Sequence, residues 1–122
     1  MRPLASLAMG GLSILIACTP APSPLVERGE RLATERGCVS CHSTDGSAGI
    51  GPTWKGLAES QVELTSGEVV LADDAYLRES MTDPSAKTVR GFKTGLMERV
   101  IAPGSLSDSE VRALIAYVKS LR

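Results

Sequence analysis

Residues 38 to 42 read CVSCH: two thiols three positions apart, Cys38 and Cys41, with His42 directly behind the second. No other stretch of this 122-residue chain limits its fold so strongly, because His42 is the only histidine and the remaining cysteine, Cys18, lies well upstream. A CxxC pair alone serves a redox dithiol, half of a zinc site or the attachment of a cofactor. Structural zinc wants four ligands, and beyond Cys38, Cys41 and His42 the chain after Cys18 has no further cysteine or histidine. A thioredoxin-like dithiol would sit at a strand-to-helix junction of an alternating βα pattern, which is missing here.

The residue after the pair decides the matter. CxxCH is the attachment pattern of c-type haem: both thiols add to the porphyrin vinyl groups and the adjacent imidazole lands beneath the iron. One helical turn puts the two sulfurs on one side and leaves the ring facing the metal. Geometry rather than thiol acidity explains the spacing.

The N-terminus reads as a targeting segment. Arg2 is followed by LASLAMGGLSILIA, an apolar run of 14 residues, where a membrane-spanning helix needs about 20. Residues 1–17 are therefore expected to be an export signal. The run ends in LIAC, which resembles the lipobox of bacterial lipoproteins and makes Cys18 the expected lipidation site and mature N-terminus. An unpaired thiol in an oxidising compartment would be hazardous, which favours acylation. TPAPSP follows, and alternating prolines favour an extended spacer at about 3 Å per residue, so residues 18–26 are expected to be anchor and spacer. Losing Arg2 with the signal leaves 12 basic side chains against 14 acidic ones, a net charge of −2. Nucleic acid is accordingly not an expected partner.

The domain proper is expected over 27–122, and its core is thin: Trp54, Tyr76, Phe92 and Tyr117 are its only aromatics. Three stretches carry helical signals. In LSDSEVRALIAYVKSLR, Ser107 and Glu110 form a capping box, Leu106 can staple on Val111, and Val111, Leu114, Ile115, Val118 and Leu121 share one face. A first helix is expected from about Glu27 to Glu35, with Leu32 and Ala33 inward and Gly37 stopping it. A middle helix is expected after an Asp73 cap, with Leu77 and Met81 at i, i+4 and an end before Pro84. VELTSGEVVL suggests a minor hairpin around Ser66 and Gly67.

With GCVSCHS, GPTWKGL, LADDAYLRES, DP, GF and ALIAYVKSL in that order, residues 27–122 resemble the monohaem class I cytochromes c. The likeness is strongest to the cytochrome c domain carried on subunit II of some bacterial cytochrome oxidases. It implies an all-α cytochrome c fold, three main helices plus a minor hairpin around one covalent haem c. It implies Pro52 as the residue whose carbonyl accepts from His42 Nδ1, Trp54 as a position packing on the haem, and Gly29 with Ala113 to Tyr117 as the crossing of the first and last helices. Two positions depart from the family pattern. Ala33 stands where an aromatic is usual, and Met97 precedes Glu98 where the ligating methionine is usually followed by proline.

The sixth ligand stays open between several groups. His42 being the sole histidine excludes a second imidazole within the chain, and Met1 and Met9 leave with the signal. Met81 lies on a helical face, where methionine is usually core filler. Met97 follows Gly91 and Gly95 in a loop able to reach across a porphyrin and is favoured, with Lys93 or an open site as alternatives. Thioether ligation raises the potential and suits outer-sphere electron transfer, whereas an open site suits peroxidase or small-ligand-sensing chemistry. The expectation is a single-electron carrier and not an enzyme, exported to the periplasmic side and lipid-anchored to a bacterial membrane. Its partners would be redox proteins such as a terminal oxidase or a periplasmic reductase.

Overall fold

The computed structural model of the protein describes residues 20–122; the expected export signal and Cys18 lie outside the described residues. The first helix, α1, spans Pro24–Glu35. Ser23 caps it, its hydroxyl oxygen accepting from the Val26 N–H at 3.4 Å, and Pro24 takes a first-turn position where its missing N–H costs nothing. The helix thus starts three residues before the expected Glu27. Ser23 and Pro24 are a helix start rather than the end of the proline-rich spacer, because a proline that follows a capping serine is preset for the first turn. Gly29, Leu32 and Ala33 face inward.

The middle helix, α2, spans Asp74–Thr82 under an Asp73 cap that accepts from Tyr76 N–H at 2.8 Å, and it ends at Asp83, before Pro84. The last helix, α3, spans Asp108–Ser120. Both halves of its capping box form: Ser107 Oγ accepts from Glu110 N–H at 3.3 Å, and Glu110 Oε2 accepts from Ser107 N–H at 2.8 Å.

Helices α1 and α3 cross where their small residues meet. A Cβ on Gly29 would lie 2.1 Å from the Ala113 carbonyl oxygen and 2.7 Å from Tyr117 Cβ, so only glycine lets the two backbones come this close. Ala33 and Ala113 are fully buried, and the alanine that departs from the family pattern belongs to the same core cluster. The crossing is tied at its rim by Arg36 to Glu110 at 2.5 Å and Arg28 to Ser109 at 3.2 Å. Lys119 to Asp74 at 2.6 Å and Arg78 to Asp108 at 2.7 Å hold α2 against the two ends of α3.

Strands β1, Gln61–Glu63, and β2, Val69–Leu71, form the expected hairpin, antiparallel with Val62 opposite Val70. Its far side is less expected. Residues 88–90 return along β1, with Thr65 N–H donating to Thr88 O and Arg90 N–H to Glu63 O, both at 2.8 Å. Leu32, Trp54, Val62, Leu64, Leu77, Met81, Val111, Leu114 and Val118 make one core from all these pieces. No described helix is long and apolar enough to cross a membrane.

Candidate functional site

The segment after α1 makes a single turn of 3-10 helix over Cys38–Ser40, closed by Cys41 N–H and His42 N–H both donating to Cys38 O, at 3.2 and 3.0 Å. Cys38 and Cys41 both sit on this turn and form no disulfide. Burial pushes the Cys38 thiol up, and Arg36 and a backbone hydrogen bond only partly oppose it. Thiol acidity is therefore not what this turn provides.

After His42 the chain doubles back and clamps the imidazole. Trp54 N–H donates to Ser43 O at 2.8 Å and Gly51 N–H to Cys41 O at 2.9 Å, which folds residues 43–54 beneath the turn. His42 Nδ1 lies 2.7 Å from the Pro52 carbonyl oxygen. A carbonyl can only accept, so Nδ1 carries the proton and Nε2 keeps its lone pair. The ring also stacks on buried Trp54, centroids 5.2 Å apart and planes 18° from parallel, and Trp54 meets Tyr117 edge-on at 6.2 Å. Burial lowers the His42 pKa, with the Pro52 bond working the other way, so the imidazole is held neutral, as a metal ligand must be.

Gly51 shows how closely this cradle fits. A Cβ there would sit 2.6 Å from His42 Cε1 and 2.9 Å from Nδ1. The sequence reading passed over it, although the glycines flanking Ile50 directly before Pro52 were its signal.

These groups open onto one cavity of about 560 Å³, within the range that encloses sizeable ligands. Cys38, Cys41, His42, Pro52 and Trp54 line it on the side of the turn, and Met97 lines it from the segment that follows residue 90. Met97 begins a 3-10 turn, Met97–Arg99, rather than sitting in open loop, and is half-buried. Met81 also borders the cavity but is 6% exposed, within α2 and packed into the core cluster. The structure therefore brings Met97 together with the cysteines and His42 without taking it from the core. Cys18 lies outside the described residues.

The donor set and the walls fit a c-type haem. Two thiols on one turn would take the vinyl groups, an imidazole with a free Nε2 would take the iron, and apolar side chains including Val62, Leu77 and Phe92 would enclose the ring. Ile50 and Val100, which line the cavity, are exposed, Ile50 by 60%, and so is Val39 on the turn between the cysteines. The cations near the cavity divide into two kinds. Of the cations that line it, Lys87 pairs with Glu79 and Arg90 with Glu63 at 3.0 Å, while Lys55 and Lys93 make no ion pair with a described residue; Arg99, close by in the chain, makes none either. A protein-family model described as Cytochrome c matches residues 26–122. Among curated proteins, none matches the chain at a significant level.

Proposed function

The chain belongs to the cytochrome c family, carries one covalent haem c and serves haem-based electron transfer, and from that premise we propose a respiratory single-electron carrier with His42 and Met97 as its axial pair. The observation that carries the proposal is the clamped, neutral His42 on one cavity wall with Met97 on another. When bound, the haem supplies a one-electron iron couple whose potential a thioether raises. The protein's own residues do the rest. Cys38 and Cys41 hold the group, Pro52 fixes the imidazole tautomer and strengthens it as a donor, and Gly51 leaves the ring room to stand upright. Trp54 fixes the ring plane from behind, and the apolar walls keep water from the metal.

A thioether from Met97 would complete the iron's ligands, which favours the carrier over the peroxidase or sensor reading. His42 being the only histidine, no imidazole is left as a distal acid or base. Exposed Ile50 and Val100 at the cavity, with Lys93 and Arg99 shortly before Val100 in the sequence, suit brief contact with a membrane-associated redox partner such as a terminal oxidase or a periplasmic reductase. The order of motifs from GCVSCHS to ALIAYVKSL supports kinship with the domain on oxidase subunit II.

The test is the optical spectrum of the purified ferric holoprotein. A weak band near the red edge that disappears on reduction is expected from sulfur ligation, and its absence would leave the open-site reading in force. We also propose that residues 1–17 are removed and that acylated Cys18 anchors the domain on the periplasmic side of a bacterial membrane, through a spacer that ends where α1 begins. Intact-mass measurement should show a multiply acylated Cys18; an unmodified N-terminus further along the chain would overturn the anchor and leave the haem assignment standing.

A further inference from the structure

The hairpin has one covered edge and one bare one. Leu64 N–H donates to Glu68 O and Ala72 N–H to Ser60 O, both at 2.8 Å. Hydrogen-bonded pairs alternate in an antiparallel ladder, so with this register Val62 and Val70 bond each other. The N–H and C=O groups of Val69 and Leu71 must then point away from β1. On the β1 side residues 88–90 take up the Glu63 carbonyl and the Thr65 N–H, whereas Val69 and Leu71 have no backbone partner among the described residues.

This bare edge is also apolar. Val69 is 55% exposed and Leu71 48%, and no lysine or proline blunts the strand, the usual protection of a free edge. Beside it lies a groove of about 380 Å³ between β2 and α2, lined by Val70, Leu71, Ala75 and Tyr76 with Asp73, Glu79 and Lys87. Glu68 adds to the local acidity, and the single cation, Lys87, is already paired with Glu79. Three carboxylates thus surround one committed ammonium.

We infer that β2 is a docking edge for an extended, basic segment of a partner protein, which adds a strand alongside Val69 and Leu71 and lays apolar side chains into the adjoining groove. Charge decides against a second copy of this chain. A two-fold pairing of β2 with itself would bring two such acidic edges together, each with Glu68, Asp73 and Glu79 around a Lys87 already paired. Val69 and Leu71 do not line the haem cavity, so a segment held here leaves the cavity mouth free. The partner is one that holds the carrier in place, distinct from the proteins that exchange electrons with it, and the inference stands whatever the sixth ligand is.

The experiment uses isotope-labelled holoprotein titrated with a short peptide of alternating lysine and valine, and separately with its glutamate–valine counterpart. The lysine peptide should shift the Val69 and Leu71 amide signals and slow their exchange with solvent. Binding should weaken several-fold at high salt, and the haem absorption should stay unchanged. Val69→Pro, which removes an outward donor without touching the ladder, and Leu71→Lys, which adds a repelling charge, should each abolish the response while keeping the native haem spectrum. The inference is overturned if those two amides do not respond, if both peptides act alike, or if the same amides broaden with protein concentration alone.

Discussion

His42 is set by three neighbours with different tasks: Pro52 fixes its proton, Trp54 its plane and Gly51 the space it turns in. No comparable apparatus surrounds Met97, the proposed sixth ligand, so the two methionines can be told apart by what each is packed against. Met97→Ala should leave the haem attached, lower the potential, erase the red-edge band and open the iron to added imidazole. Met81→Ala should keep the spectrum and cost about 2–5 kcal/mol of stability as a large-to-small change in a core. Exchange of these two phenotypes would move the ligand to α2. A second residue-scale prediction concerns Glu110, whose carboxylate accepts from Ser107 N–H, from Arg36 and from the Ser107 hydroxyl, and whose pKa is lowered from 4.5 to about 2. A depressed carboxylate pKa stabilises the fold fully above the ordinary value and loses that contribution as pH falls toward the folded one. The gap in thermal midpoint between wild type and Glu110→Gln should therefore be widest above pH 4.5 and close toward pH 2. A gap independent of pH across that window would show that the charge is not what Glu110 contributes.

At the scale of elements, the crossing of α1 and α3 depends on the absence of a side chain. Replacing Gly29 by alanine would gain about 1 kcal/mol of helix propensity in an isolated helix. Here the new methyl would fall 2.1 Å from the Ala113 carbonyl oxygen, on backbone that cannot swing aside. Overpacking of this kind costs about 1–3 kcal/mol or more, so Gly29→Ala is expected to lower the denaturant midpoint despite the better propensity. A raised midpoint would mean that the helices part at little cost. The hairpin teaches a related point. A ribbon of two three-residue strands is not stable alone, and β1 persists because Val62 and Leu64 enter the core and residues 88–90 line its outer edge.

For the whole molecule, the haem is part of the core. Burying porphyrin surface equal to two aromatic side chains, roughly 400 Å², is worth about 10 kcal/mol. That is as large as the usual net stability of a domain, about 5–15 kcal/mol. The variant carrying Cys38→Ala and Cys41→Ala, recovered without haem, should lack native helicity by circular dichroism; a cooperative thermal transition in it would refute this dependence. Charge also acts at this scale. The run from Lys87 to Arg99 holds four cations against Glu98, but Lys87 and Arg90 are committed to Glu79 and Glu63, which leaves Lys93 and Arg99 to steer partners. Lys93→Glu should slow oxidation by an anionic iron complex and speed oxidation by a cationic cobalt complex. Both effects should fade as the Debye length falls below about 10 Å near 0.1 M salt. Reversing Glu30, on α1, should do neither. Glu63 is no remote control, since its reversal would release Arg90.

The covalent haem site was legible in the sequence because its chemistry is local. CVSCH places two sulfurs and an imidazole within one turn, and Pro52 and Trp54 follow closely enough for a single loop to return them to the ring. The ends of α2 and α3 were legible for the same reason, since the Asp73 cap, Pro84 and the Ser107–Glu110 box act within one helical turn. Ser23 and Pro24 carried an equally local signal, but proline spacing in the preceding stretch reads the same in a spacer and at a helix start. What the tertiary structure decided are the contacts between residues far apart in the chain. Gly29 under Ala113, Arg36 on Glu110 and residues 88–90 beside β1 arise only when the core closes. The same closure pairs off half of the basic run and leaves the β2 edge bare, because an ion pair or a strand edge is defined by what arrives from elsewhere in space, and neighbouring letters do not encode that.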